Sequence, residues 1–141
     1  MGLIEGQVAI VTGAANEVSQ GIARRFAREG AKVILVDRDE AAARDAARGI
    51  EGAEGRSADL TAPGAAEALA KAVTDAHGRI DILVNGAHAA LKWERFDDKP
   101  VADFTAAFSD VVASALAMMK AVRPVMTKAG GGRIVNLGSI Y

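Results

Sequence analysis

Thr12-Gly13 and Asp37 are the residues of this sequence whose types and spacing bear most directly on chemistry. Thr12-Gly13 closes the apolar run VAIVTG and opens the helix-forming stretch EVSQGIARRFA. A helix starting straight after a strand presents free backbone N–H groups and the positive end of its dipole, which together hold a phosphate. Glycine in such a turn lets the backbone approach the anion closely. The next apolar run, KVILVD, ends on Asp37. A carboxylate there accepts hydrogen bonds from the ribose hydroxyls of an adenosine and repels a 2′-phosphate. The pattern points to a dinucleotide site that favours NAD, with NADP the lesser candidate. Arg38 softens that preference, because a guanidinium reaches phosphate well. Asp37-Arg38-Asp39-Glu40 also reads as a solvated helix start with acids in its first turn.

Such residues need a scaffold that sets a strand, a turn and a helix in fixed relation. Strands are expected at 7–12, 32–37, 55–59, 80–85 and 133–137, and helices at 20–29, 40–49, 65–76 and 101–128. The strand segments VAIV, VILV, IDILV and RIVNL are continuous apolar runs, which suits strands covered on both faces. Gly30, Gly49 and Gly78 follow helical segments, where a left-handed closing residue is expected. Pro63-Gly64 is expected to open the third helix, and Pro124 to bend the fourth or mark its final turns. Gly21 is read as a small residue for packing on the sheet. Phe104, Phe108, Val111, Val112, Ala115, Met118 and Met119 recur at helical spacing and are expected to be mostly core. The alternation gives one α/β domain over residues 1–141, a doubly wound, mainly parallel sheet with strand order 3-2-1-4-5.

Composition narrows the function classes. The 141 residues are half hydrophobic with a net charge of −1, so no electrostatic footprint for nucleic acid exists. Cysteine is absent, which excludes thiol nucleophiles and thiolate metal sites. His77 and His88 are too far apart in sequence to form a local metal motif, so no metal is expected. The opening MGLIEGQVAIV lacks the basic start and apolar core of a signal peptide, and no run approaches eighteen uninterrupted apolar residues. The expectation is a cytoplasmic protein with no membrane partner.

Taken together, these stretches resemble the short-chain dehydrogenase/reductase family along essentially the whole sequence. Thr12-Gly13-Ala14-Ala15-Asn16-Glu17-Val18-Ser19 lies over its TGxxxGxG turn, and Asp37 over its NAD-selecting acid. Asp59-Leu60 lies over the pair that contacts adenine, and Leu83-Val84-Asn85-Gly86-Ala87-His88 over LVNNAG. Gly132-Arg133-Ile134-Val135-Asn136-Leu137-Gly138-Ser139 lies over GxIVNxSS, whose second serine is catalytic. The resemblance implies a Rossmann fold and hydride transfer between a nicotinamide and a carbonyl or alcohol substrate. It implies cofactor contacts at Gly13, Asn16, Glu17, Val18, Asp37, Arg38, Asp59, Leu60, Asn85, Gly86 and Ala87. Ser139 would hydrogen-bond the substrate oxygen. The helix at 101–128 packs across a subunit interface in that family, so a homodimer or homotetramer is expected.

Departures from the pattern matter as much. Glu17 and Ser19 replace the second and third glycines of the turn. Glu17 would bring a carboxylate near a pyrophosphate unless it points to solvent, whereas the Ser19 hydroxyl could itself donate to a phosphate oxygen. A serine in this turn is also similar to that of the enoyl-acyl-carrier-protein reductases, but their longer spacing to the next glycine is absent. Gly86 and His88 replace the second asparagine and the glycine of NNAG, and Val112 replaces an asparagine that helps hold a proton-relay water. His88 reads either as a site residue or as a solvated loop residue. Trp93 and Phe96 read either as substrate contacts or as an aromatic cap on the domain. Only Ile140 and Tyr141 follow Ser139, so the family's Tyr-x-x-x-Lys acid–base pair is not among these residues. The expectation is the N-terminal, cofactor-binding part of a longer single-domain enzyme; the alternative is a non-catalytic dinucleotide-binding or assembly module.

Overall fold

A computed structural model describes residues 2–89 and 94–138. The elements run β1 Val8–Thr12, α1 Glu17–Arg28, β2 Lys32–Asp37, α2 Glu40–Arg48, β3 Ala53–Ser57, α3 Ala65–His77 and β4 Ile82–Asn85. They continue through a 3-10 turn at Phe96–Asp98, α4 Val101–Phe108, a π-helical turn at Ser109–Ala113, α5 Ser114–Lys128 and β5 Arg133–Asn136. All strand pairs are parallel, in the order β3-β2-β1-β4-β5. Strand order and fold class agree with the sequence.

The continuous apolar runs form strands because alternate side chains enter two different cores. Ile10, Ile34 and Leu83 face α3 and α5, where they meet Leu69, Val73, Met118 and Val122. Val11, Val33, Leu35 and Val84 face α1 and α2, where alanines 23, 43, 46 and 47 let the helices lie close. Turning the sheet by one residue would exchange the two sets, so both covers fix the register.

Several boundaries differ from expectation for identifiable reasons. The first helix starts at Glu17 rather than 20, because Asn16 caps it and its Oδ1 accepts the Ser19 N–H at 2.7 Å. The third strand runs two residues earlier than expected, since Ala53–Ser57 pairs with Val33–Asp37 and the chain then leaves the sheet. Gly49 has an ordinary φ of −90°, and Gly52, with φ +76°, makes the reversal instead. Gly64 itself caps the third helix, leaving Pro63 outside its first turn. Gly21 is exposed and an added Cβ would touch nothing there; Ala23 makes the close contact with the sheet.

The long helical segment is divided by the π-helical turn, and Pro124 lies within the last turns of α5. Its inward row is Ser114, Met118, Val122 and Met126. Contrary to expectation, Phe104, Phe108 and Val112 are not core: together with Val101 and Leu116 they form an exposed apolar stripe. Residues Val101–Lys128 are also long and apolar enough to cross a membrane by length and composition, an 18-residue stretch within them having a mean hydropathy of 1.4. One row of the segment, Met118, Val122 and Met126, packs in the core with α3 and the sheet. Contrary to the two-sided cover expected from RIVNL, the fifth strand is exposed along its length, because it is the edge of the sheet and pairs only with β4.

Candidate functional site

The carboxyl ends of β1, β2 and β4 and the start of α1 border a cleft of about 430 Å³. It lies where the strand order reverses, between β1 and β4, the place where open α/β sheets bind ligands. Gly13, with φ +75°, turns the chain out of β1 into the helix. A Cβ there would come within 2.5 Å of the Gly86 carbonyl oxygen, so only glycine fits. Among the described residues, the N–H groups of Glu17 and Val18 find no acceptor. Unspent donors at a helix start are what a pyrophosphate requires, so the turn fits a dinucleotide.

Glu17 and Val18 are both exposed and border the cleft rather than line it. The Glu17 carboxylate therefore reaches solvent and need not face a bound anion. Ser19 behaves differently from expectation: it is fully buried, and its hydroxyl donates to the Thr12 carbonyl at 2.9 Å. It is not available to a phosphate. The space it fills exists because residue 86 is glycine, where an added Cβ would meet Ser19 Oγ at 2.3 Å and Thr12 O at 2.7 Å. The two departures from the glycine pattern thus compensate each other: a side chain gained at 19 fits beside one lost at 86.

Thr12 and Asn16 complete this joint. The Thr12 hydroxyl accepts from Gly86 N at 3.0 Å and Ala87 N at 3.3 Å. Asn16 Nδ2 donates to the Gly86 carbonyl at 2.8 Å while its Oδ1 caps the helix. Asn16 lines the cleft, yet both of its side-chain polar atoms are engaged within the protein. Asn85 is buried and donates across to Asn136 of β5 at 2.8 Å, so its amide braces the two strands rather than lining the cleft.

The end of the cleft at β2 is acidic. Asp37 is held in place by two backbone donors, Ala15 N at 2.9 Å and Asp39 N at 3.1 Å. Arg38 lines the cleft beside it and pairs with Asp110, from the π-helical turn, at 2.5 Å. That hydrogen bond, with the fields of Asp110, Asp59 and Asp37, raises the Arg38 pKa above its already high value. Leu60 and Ala87 line the cleft as well. Asp59 does not; it closes a turn by accepting from the hydroxyl and N–H of Thr61, which lower its pKa.

His88 is exposed at the cleft wall. Val112 is exposed, and the Ser114 hydroxyl donates to the Asp110 carbonyl in its own helix. Phe96 is fully solvated and makes no cap. Ser139 and Trp93 lie outside the described residues. Among the described residues no cluster of His, Asp or Glu is arranged to hold a metal ion. Sequence reasoning missed the Thr12 hydroxyl and Asp110. Thr12 could have been found from its place at the strand end, but nothing in the sequence connects Asp110 with Arg38.

Comparison with known proteins agrees with this geometry. Residues 7–141 match the family model described as short chain dehydrogenase. The chain is 39% identical to galactitol 2-dehydrogenase of Agrobacterium fabrum over 96% of its own length and 54% of that protein's. It is 34% identical to D-threitol dehydrogenase of Mycolicibacterium smegmatis, over 96% of this chain and 54% of that one. Among solved structures, a metagenomic short-chain oxidoreductase in complex with NADP superposes with a TM-score of 0.88 at 33% identity. The match covers 98% of this chain and 64% of that one. The chain spans about half the length of the curated relatives it matches.

Proposed function

The chain belongs to the short-chain dehydrogenase/reductase family, and on that premise we propose that its 141 residues form the coenzyme-binding part of an NAD-dependent oxidoreductase. The observation that carries this reading is the pairing of two features across the cleft. The donors of Glu17 and Val18 stand free at the helix start, and the Asp37 carboxylate is fixed by Ala15 N and Asp39 N. The first suits a diphosphate. The second suits the two ribose hydroxyls of an adenosine and opposes a phosphate on either of them.

A bound nicotinamide supplies hydride transfer at its C4 to or from a carbonyl or alcohol carbon. This chain's residues bind and orient. Gly13 would let the turn approach the diphosphate, Leu60 would offer an apolar wall to the base, and Ala87, after β4, would line the cleft beside the coenzyme. Asp59 shapes the turn that carries Leu60, and Asn85 and Gly86 keep the end of β4 in register with β1. Ser139 hydrogen-bonds the substrate oxygen, and the proton is moved by an acid–base pair outside these residues. The substrate is a small carbonyl or alcohol compound. The working location is the cytoplasm, and neither nucleic acid nor membrane is a partner. A second copy of the protein covers the stripe of Val101, Phe104, Phe108, Val112 and Leu116, giving a homodimer or homotetramer.

The test is a calorimetric titration of the purified protein with NADH. Saturable one-to-one binding is expected, weakened by Asp37→Ala. A flat titration at millimolar coenzyme would remove the reading.

A further inference from the structure

The inward row of the long helical segment changes character where it passes over the cleft. Met126, Val122 and Met118 are core residues, Ser114 lines the cleft, and Asp110, one turn further, ends the row. Asp110 sits in the π-helical turn, a widened form of helix found often at functional sites. From there it reaches Arg38 on the loop after β2, 72 residues away in sequence, at 2.5 Å. The pair spans the cleft between the long helix and the acidic strand end, and both partners line it.

Among the described residues that line this cleft, Arg38 is the only Lys or Arg. It is the group a 2′-phosphate would need, since Asp37 offers only repulsion at that point. We propose that Asp110 is a coenzyme-selecting residue: by holding Arg38 it withholds the guanidinium from a 2′-phosphate and adds its own negative charge to the cleft. Discrimination against the phosphorylated coenzyme is thereby shared between Asp37, which repels, and Asp110, which engages the Arg38 guanidinium. This rests on the dinucleotide reading above.

The charges around the pair agree. Asp37 and Asp59 both act on Arg38, so a 2′-phosphate would have to displace Asp110 while facing two further carboxylates. With Asp110 removed, the guanidinium keeps its position on the β2 loop and gains freedom to turn into the cleft. The pair itself is partly solvated, with side-chain exposures of 56% for Arg38 and 24% for Asp110. Its loss should therefore leave folding stability nearly unchanged.

The experiment compares adenosine 2′,5′-bisphosphate with 5′-ADP, and NADP with NAD, by calorimetric titration. The proteins are the parent chain, Asp110→Asn, Asp110→Ala, and Asp110→Ala combined with Arg38→Ala. The affinity ratio of 2′-phosphorylated to unphosphorylated ligand should rise about tenfold in Asp110→Ala, as removing one nearby charge from a half-exposed site does. Asp110→Asn should show a smaller rise, and the double variant should lose the gain. An unchanged ratio in Asp110→Ala overturns the proposal, as does a gain that survives without Arg38. If the parent binds 5′-ADP and NAD but the ratio does not move, only this proposal falls. If neither ligand binds to any of the proteins, the dinucleotide reading falls with it.

Discussion

The seam between β1 and β4 is closed at both ends by side chains, and the two closures use opposite chemistry. Where the strands begin, Asp81 is buried and accepts Val8 N at 2.8 Å, while the Arg79 guanidinium grips both its oxygens at 2.8 Å. Its backbone carbonyl accepts Arg133 N of β5. Where the strands end, there is no charge in the joint. Thr12, Ser19 and Asn16 make neutral hydrogen bonds around Gly86, and the fit depends on which positions lack a side chain. The difference follows from what each end must leave free. A carboxylate inside this joint would compete for the Glu17 and Val18 N–H groups that the proposed diphosphate needs, whereas Asp37 takes only Ala15 N and Glu17 is exposed. The charged clamp stands at the far end, away from the proposed coenzyme cleft.

The sharpest break of this contrast is Gly86→Asn, which would restore the residue common in the resembled family. The new Cβ collides with Ser19 Oγ and the Thr12 carbonyl, at a cost of about 3 kcal/mol by denaturant unfolding, the upper end of overpacking penalties. Adding Ser19→Gly should recover about 1 kcal/mol or more of that loss, a coupling expected of residues in contact. A double variant no more stable than Gly86→Asn alone would show that the two positions do not compensate. Next in size is Asp81→Ala at the other end. It strands the buried Val8 N–H and frees Arg79, costing about 2 kcal/mol, yet the folded fraction should bind 5′-ADP as the parent does. Thr12→Val should cost less, about 1.5 kcal/mol from the orphaned Gly86 N–H, but should weaken 5′-ADP several-fold because the phosphate turn loses its anchor to β4. Equal effects of Asp81→Ala and Thr12→Val on ligand affinity would erase the contrast.

Which parts of this were legible in the sequence depends on range. Runs such as VAIV and VILV declare two-sided burial locally, so the layers could be read, while the β-α alternation gave the strand order; RIVNL reads alike but lies at the exposed edge. The places of Gly13 in the turn and of Asp37 at the end of β2 could also be read, because each lies within one β-α-β unit. The role of Ser19 could not be read, because the space it fills is set by Gly86 on another strand. The Arg38–Asp110 pair was hidden for the same reason. The outward stripe at Phe104, Phe108 and Val112 misled because helical spacing reports that a face is apolar, not what covers it.

The smallest expected effect separates the two closures by acid. Burial raises the Asp81 pKa, but the Arg79 fork and the Val8 N–H outweigh it and hold the group below the usual carboxylate range. A carboxyl whose folded pKa is depressed contributes stability that is complete above its unfolded value and is lost as pH falls through the folded one. Unfolding free energy should therefore decline below the ordinary aspartate value of about 3.9. Other depressed carboxyls, Glu54 and Asp59 among them, add to that decline, so the parent alone is not diagnostic. Asp81→Asn keeps an acceptor for Val8 N without the charge, so near neutral pH it should trail the parent by about 1 kcal/mol, the margin of a charge-assisted bond over a neutral one. That gap should close as the pH is lowered. The equivalent comparison with Thr12→Val should hold a constant gap over the same range, since no proton is exchanged at that end. A gap for Asp81→Asn that does not narrow in acid would mean the lower closure works by shape, as the upper one does.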